Sequence, residues 1–268
     1  MLQTVMSQLR NAFASSEEGI SWDAAKRQAL HIANQDGLGV TSGQRTDLDQ
    51  ALALATLWLS EATTISDLGS PPRTITRGDW VEATLPVWQE LAAPVATSMA
   101  DAMTAALSEQ APDDMQGMIE GAGRLMRLVG GSLFVSQLGQ VVGNLSKEVV
   151  SGGDVGIPLM PDGEAAILPQ NFADFGRDLE IPDDQLALFV AVRELAHARL
   201  FRHARWLRLH VISQITDYAR GVRIDTDALE DVASRFDPSQ PEELRRAIES
   251  GALLPQATEA QTAALGRL

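Results

Sequence analysis

The pentapeptide Arg193-Glu194-Leu195-Ala196-His197 holds the residue types in this chain whose spacing could support chemistry. It differs at its first position from H-E-x-x-H, in which two His four residues apart share one helix face and bind one zinc ion. The Glu of that motif activates the zinc-bound water as a general base, which is the chemistry of hydrolysis. Glu194 and His197 are therefore the candidate general base and metal ligand, whereas Arg193 occupies the position of the first ligand.

Arg193 works against a metal ion at this motif. A guanidinium stays protonated, and at about 5 Å from zinc it would repel the ion by roughly 6–7 kcal/mol at an effective dielectric constant of about 20. We therefore expect no bound cofactor, with Arg193 paired to Glu194 or to a nearby Asp. Zinc is the expected cofactor only if Arg193 swings away, and it would need a third ligand. The nearest acids, none of them in a distinguishing motif, are Asp217, Asp225, Asp227 and Glu230.

A simpler interpretation of the motif stays open. The pattern E-x-x-H recurs by chance on ordinary helices, where it is a surface Glu followed by a hydrogen-bonded His. The segment after Pro182 predicts such a helix, because Pro and acids favour a first helical turn. Residues 155–160 and 164–169, separated by Pro-Asp-Gly, predict a β-hairpin before it. The sequence thus predicts a mainly α, α+β fold with a small sheet.

Two G-x-x-x-G spacings, Gly117/Gly121 and Gly139/Gly143, lie in a largely apolar stretch. Polar and charged residues interrupt this stretch, whereas a membrane-spanning helix needs about 20 mostly apolar residues. Small residues four apart let two helix backbones approach closely. We therefore expect these glycines to mark close helix packing and not a membrane dimer.

Charge and composition exclude several classes of function. The net charge is −15 over 268 residues, which disfavours nucleic acid and anionic membranes as partners and favours a peptide or protein. The absence of Cys excludes disulfides, thiol catalysis and Cys-ligated zinc. The first residues lack a basic region followed by an apolar one, so we expect a cytoplasmic protein.

The region 193–223 is basic within this acidic chain, and only Glu194 and Asp217 oppose its arginines. Such a region could bind an anionic ligand, for which Arg202 and Arg205 are the candidates. The alternative is a solvated helix face whose arginines pair with acids from elsewhere in the chain. The arginines are Arg193, Arg199, Arg202, Arg205, Arg208, Arg220 and Arg223.

The sequence RELAHARLF, followed by Trp206-Leu207-Arg208 and YARGVRIDTDALED, resembles a bacterial family of zincin-like metallopeptidases classed as hydrolases of unknown substrate. The resemblance extends upstream through GGSLFVSQLGQVVG, WVEATLPVWQELAAPVA and LALATLWLSEAT, and covers essentially the whole chain. It implies a helical N-terminal part and a zincin-like core whose small sheet or hairpin lies beside the motif helix. It also places the family's general base on Glu194, its second ligand on His197 and its first ligand on Arg193.

The resemblance and the altered motif together suggest a family hydrolase with a degenerate, metal-free site. The alternatives are a non-catalytic interaction or scaffold protein that retains the peptidase fold, and a binder of small anions through the arginine-rich helices. We expect an N-terminal helical region over 1–112 and a zincin-like core region over 113–268, or one continuous domain. Substrate, pathway and oligomeric state do not follow from the sequence.

Overall fold

The computed structural model of the protein describes residues 21–35, 40–109, 131, 134–220 and 258–267. These parts of the chain are mainly helical with one small sheet, which confirms the α+β fold class. The elements are α1 Trp22–Ala33, α2 Ser42–Ala62, β1 Arg73–Thr74, α3 Arg77–Glu109, α4 over 134–145, β2 Ala166–Ile167, α5 Pro169–Gly176, α6 Asp183–His203, α7 Arg205–Arg220 and α8 Glu259–Arg267.

The chain divides into two compact units. One combines Trp22–Gln89 with Val135–Val211 and contains the motif helix α6, so we call it the motif unit. The other includes the described parts of Glu90–Phe134 and Ile212–Leu268. The boundary expected between residues 112 and 113 lies outside the described residues and stays a prediction.

The core of the motif unit lies between α2 and α6. Small and branched apolar side chains at helical spacing line both helices, which is the pattern of one buried face on each helix. The sheet and the loop before it contribute Val150, Ala165 and Ile167 to the same cluster. The helical members are Leu48, Ala51, Leu52, Ala55, Ala187, Val190, Ala191, Leu195 and Ala198.

The sheet consists of β1 and β2, which run parallel with Arg73 opposite Ala166 and Thr74 opposite Ile167. On its other side β2 pairs with the loop before it, since the Gly152 amide donates to the Ala166 carbonyl at 2.8 Å. The sheet lies beside the motif helix as expected, but the hairpin prediction was wrong: 155–160 forms no strand. Gly156 has φ +82°, and the two prolines of this segment and its turn lack the N–H groups that a ladder needs.

Close helix packing at Gly139 and Gly143 is confirmed. A Cβ on Gly139 would lie 2.6 Å from the Ala25 carbonyl oxygen, and a Cβ on Gly143 would lie 2.8 Å from the Ile32 Cβ, so α4 crosses α1 at backbone contact. Gly117/Gly121 lie outside the described residues. None of the helices that the structure describes has the length and apolar content needed to cross a bilayer.

The crossing gives a first prediction. We expect Gly139→Ala to destabilise the protein by about 1–2 kcal/mol, because the added methyl meets backbone atoms that cannot rotate away. The control is Gly266→Ala in α8, where a Cβ meets no atom within 4 Å. That variant should be neutral or stabilised by about 0.5–1 kcal/mol, since Ala favours the helix. Urea unfolding measures both variants, and an unchanged midpoint for Gly139→Ala would contradict the close crossing.

Candidate functional site at the motif helix

Helix α6 carries the motif, and the three polar residues of the motif differ in their exposure to solvent. The helix begins after Pro182 with Asp183 and Asp184 in its first turn, where acids stabilise the positive end of the helix dipole. The Arg193 side chain is half exposed, whereas Glu194 is only 1% exposed and faces the sheet. His197, one turn further on, is half-buried. The motif therefore does not form a uniformly exposed surface patch.

Glu194 is hydrogen-bonded through both carboxylate oxygens to the backbone. Its Oε2 accepts from the Gly153 amide at 2.8 Å, and its Oε1 accepts from the Ala166 amide at 3.0 Å. Burial raises the pKa of Glu194 above its ordinary value, while these two bonds and the Ser151 hydroxyl act in the opposite direction. This side chain thus ties helix α6 to strand β2 and to the loop before it, which sequence spacing alone did not suggest.

Arg193 forms an ion pair with Asp154, so of the two partners expected for it the structure shows the aspartate. Its Nη1 bonds to one carboxylate oxygen, and its Nη2 lies 3.3 Å from the Asp154 carbonyl oxygen. The other carboxylate oxygen accepts from the Val150 amide at 2.9 Å. This backbone hydrogen bond holds the Asp154 carboxylate in place independently of Arg193, so the guanidinium pairs with a preorganised acceptor.

His197 packs between its own helix and the loop that contains Gly152 and Gly153, which we call the glycine loop. A Cβ on Gly153 would lie 2.3 Å from the His197 Nδ1, so only glycine leaves room for the ring. The ring also packs against Phe201, with 4.8 Å between the two centroids. Its Nε2 is buried without a hydrogen-bond partner in the described part of the chain. Burial lowers the pKa of His197, the charge of Arg193 lowers it further, and a hydrogen bond to the Gly156 backbone raises it.

The sequence profile of zincin-like metallopeptidases matches residues 20–268, which include the motif helix, the glycine loop and the sheet. The chain belongs to the zincin-like metallopeptidase family. No curated protein matches it significantly. A crystal structure described as a putative hydrolase with a novel fold, from Chloroflexus aurantiacus, is 17% identical in sequence. It has a TM-score of 0.47, and the match covers 92% of this chain and 80% of that chain.

The family implies a zinc ion, and the described donors of this family member do not fit one. Arg193 cannot ligate a cation, and the Glu of this motif is a base and not a ligand, so His197 is the one ligand that the motif itself provides. No group of three or more His, Asp or Glu side chains in the described ranges could hold a metal ion. Of the four acids considered as third ligands, Asp217 is exposed on α7. The other three, Asp225, Asp227 and Glu230, lie outside the described residues.

The arginines of the basic region differ in what they contact. Arg199 pairs with Asp67 and Arg205 lies 3.7 Å from Asp162, as Arg193 pairs with Asp154, so these three follow the interpretation of arginines paired with acids from elsewhere. Arg199 is 2% exposed, however, and so it is not part of a solvated face. Arg220 and Arg223 have no described side chains.

Arg202 and Arg205, the expected anion-binding pair, do not share one site. Arg202 lines a cavity beside α6, whereas Arg205 has a 77% exposed side chain and does not line it. Arg208 lines that cavity in its place, together with His197. Helical spacing could not have separated the two, because Arg205 and Arg208 are three residues apart on α7 and such residues share one helix face.

Proposed function

We propose that this zincin-like family member has a metal-free, non-hydrolytic motif site and acts by binding a peptide or protein partner. The observation that carries the proposal is the Glu194 carboxylate, whose two oxygens accept the Gly153 and Ala166 amides. Each oxygen of Glu194 retains a second lone pair, but the side chain is only 1% exposed and is held by two backbone donors. Glu194 therefore cannot move toward a substrate, as a general base must, without breaking buried hydrogen bonds.

The Arg193–Asp154 pair supports the same proposal. The guanidinium is held by a carboxylate that also accepts the Val150 amide, so moving Arg193 away from the motif breaks an ion pair with a fixed acceptor. A divalent ion beside His197 would also meet the positive charge that already lowers the pKa of this imidazole. Arg193 thus disfavours a metal ion both because it is positively charged and because a guanidinium is not a metal ligand.

The choice of partner rests on charge. A protein with net charge −15 repels nucleic acid and anionic membranes over most of its surface, whereas a peptide or a protein can present a complementary patch. The peptide-binding groove that a peptidase fold requires is the feature that such a relative would retain. We also propose that the protein is cytoplasmic.

Zinc binding by the wild type, Arg193→His and Arg193→Gln tests the metal-free site. After incubation with zinc and desalting, elemental analysis should find no stoichiometric zinc in the wild type. In calorimetric titration, Arg193→His should bind zinc at least tenfold more tightly than the wild type, because it removes a charge and adds an imidazole at helical spacing. Arg193→Gln removes the charge alone and should gain less.

Stoichiometric zinc in the wild type that disappears in His197→Ala would overturn the proposal. Hydrolysis of a mixed peptide library by the wild type, abolished in Glu194→Gln, would do the same. If Arg193→His gains no affinity, the imidazoles at 193 and 197 do not share a site, and the proposed equivalence to the family motif fails.

A further inference from the structure

The cavity beside α6 has a volume of about 30 Å³ and opens to solvent. It is lined by the glycine loop, by the turn around Pro161 and Gly163, and by side chains of α6 and α7. Four charged residues besides Glu194 line it, Asp162, Glu164, Arg202 and Arg208, and their pairing decides what charge the cavity presents. A cavity of this size has room for one compact polar group, which would enter through the open mouth.

The acids at the rim are already paired with arginines. Asp162 lies 3.7 Å from Arg205, and the Glu164 carboxylate lies 2.9 Å from the Arg73 guanidinium. Neither Arg73 nor Arg205 lines the cavity. The charges of Asp162 and Glu164 are therefore balanced by arginines outside the cavity. Neither carboxylate pairs with Arg202 or Arg208 in the described part of the chain.

Arg202 is built into the cavity wall, and no described residue pairs with it. A Cβ on Gly163 would lie 2.3 Å from its Nη1, and a Cβ on Gly69 would lie 3.0 Å from its Nη2, so two glycines make room for this guanidinium. Gly163 has φ +77°, a conformation that favours glycine in any case. The side chain is half-buried, and it has no hydrogen bond or ion pair within the described part of the chain. A half-buried cation is stabilised by an anion at its free edge.

Arg208 and His197 provide further hydrogen-bonding positions at the same cavity. Arg208 donates from Nη1 to the Pro158 carbonyl, and no carboxylate pairs with it in the described ranges. Its guanidinium carries four other N–H donors. The His197 Nε2 is buried without a partner, which is costly for a polar atom unless a ligand or water meets it. Two cations and one unsatisfied imidazole thus line one cavity.

We propose that this cavity binds a small oxyanion, a carboxylate or a phosphate group, between Arg202 and Arg208, with the His197 Nε2 donating to the anion when this nitrogen carries a proton. The inference rests on the proposed metal-free site, because a zinc ion would take the imidazole. It names the ligand chemistry that the proposed peptide or protein partner would present here.

Thermal unfolding of chelator-treated, desalted protein tests the site with inorganic phosphate as the probe and sodium chloride at matched ionic strength as the reference. Phosphate should raise the Tm saturably, since a ligand that binds only the folded state stabilises it. A second arm compares N-acetyl-dialanine with its C-terminal amide, which lacks the carboxylate. Stabilisation by the free acid but not by the amide indicates a peptide carboxylate, whereas stabilisation by phosphate alone indicates a phosphate group.

Arg202→Gln and Arg208→Gln should each weaken the binding of the active probe at least tenfold. Arg205→Gln is the matched control, because this arginine lies next to the cavity but is exposed and faces Asp162. Because it leaves the exposed Asp162 carboxylate without its partner, it should weaken binding slightly, by less than threefold. Equal effects of all three variants would overturn the site in favour of a general charge effect.

Zinc content, measured on the same samples, separates this inference from the proposed function. Zinc that survives chelation and desalting contradicts the metal-free site. Zinc-free protein whose Tm responds equally to phosphate, the free acid and chloride contradicts the oxyanion site alone.

Discussion

Replacing Glu194 with Ala should lower the free energy of unfolding by about 3–5 kcal/mol. The substitution leaves the Gly153 and Ala166 amides without acceptors in the core, at roughly 1–3 kcal/mol for each, and adds a small cavity. A carboxylate kept only for catalysis would behave in the opposite way, because removing active-site polar groups often leaves stability unchanged or higher. Urea unfolding followed by circular dichroism measures the difference.

The pH dependence of this loss has a definite sign. Burial raises the folded-state pKa of Glu194 above its ordinary value of 4.5, so between these two values the folded protein binds more protons than the unfolded chain. The stability that Glu194 contributes is therefore fully present below pH 4.5 and decreases as the pH rises through the folded-state pKa. The gap between wild type and Glu194→Ala should accordingly be wider at pH 5 than at pH 7.5.

Glu82→Ala is the matched control for Glu194→Ala. Its carboxylate is 53% exposed and pairs with Lys26 at the surface, and such pairs contribute little. This variant should remain within about 0.5 kcal/mol of the wild type. A loss for Glu194→Ala as small as that of the control would show that the backbone bonds of Glu194 do not support the fold.

The second large effect is expected at the buried Arg199. Its Nη2 donates to the Thr56 carbonyl and the Ser60 hydroxyl at 3.2 Å each, and its charge is balanced by Asp67. Asp67→Ala should cost about 2–3 kcal/mol, since it leaves a guanidinium that is 2% exposed without its counter-charge. This is less than the roughly 3–5 kcal/mol of a fully buried pair, because Asp67 itself is 58% exposed.

Removing the charge should cost less than removing its partner. Arg199→Met replaces the guanidinium with an apolar chain of similar length and leaves Asp67, which is 58% exposed, so no buried charge stays unpaired. The control is Asp162→Ala, whose partner Arg205 is exposed, and its loss should be under about 1 kcal/mol. Losses for Asp67→Ala and Asp162→Ala that are equal within error would contradict a structural role for the buried pair.

The sequence by itself determined the features that depend on local spacing. Residues that recur every three or four positions share a helix face, so the glycines at 139 and 143 had to meet another helix on one side. The same spacing placed Glu194 and His197 along one helix, and it supported a mainly helical fold with a small sheet. The family followed from the residues around the motif.

Only the tertiary structure decided which groups those faces meet. Glu194 accepts hydrogen bonds from the Gly153 and Ala166 amides, which lie 41 and 28 residues away in the chain. No local sequence pattern encodes such distant partners. The hairpin prediction was wrong for a similar reason, since β2 pairs with β1, which lies about 90 residues earlier in the chain. Arg199 and Arg202 are chemically identical and three residues apart, yet one is buried in the core with Asp67 and the other lines a cavity. The charge of a side chain determines which kind of partner stabilises it, whereas the packing of distant segments determines which partner lies next to it.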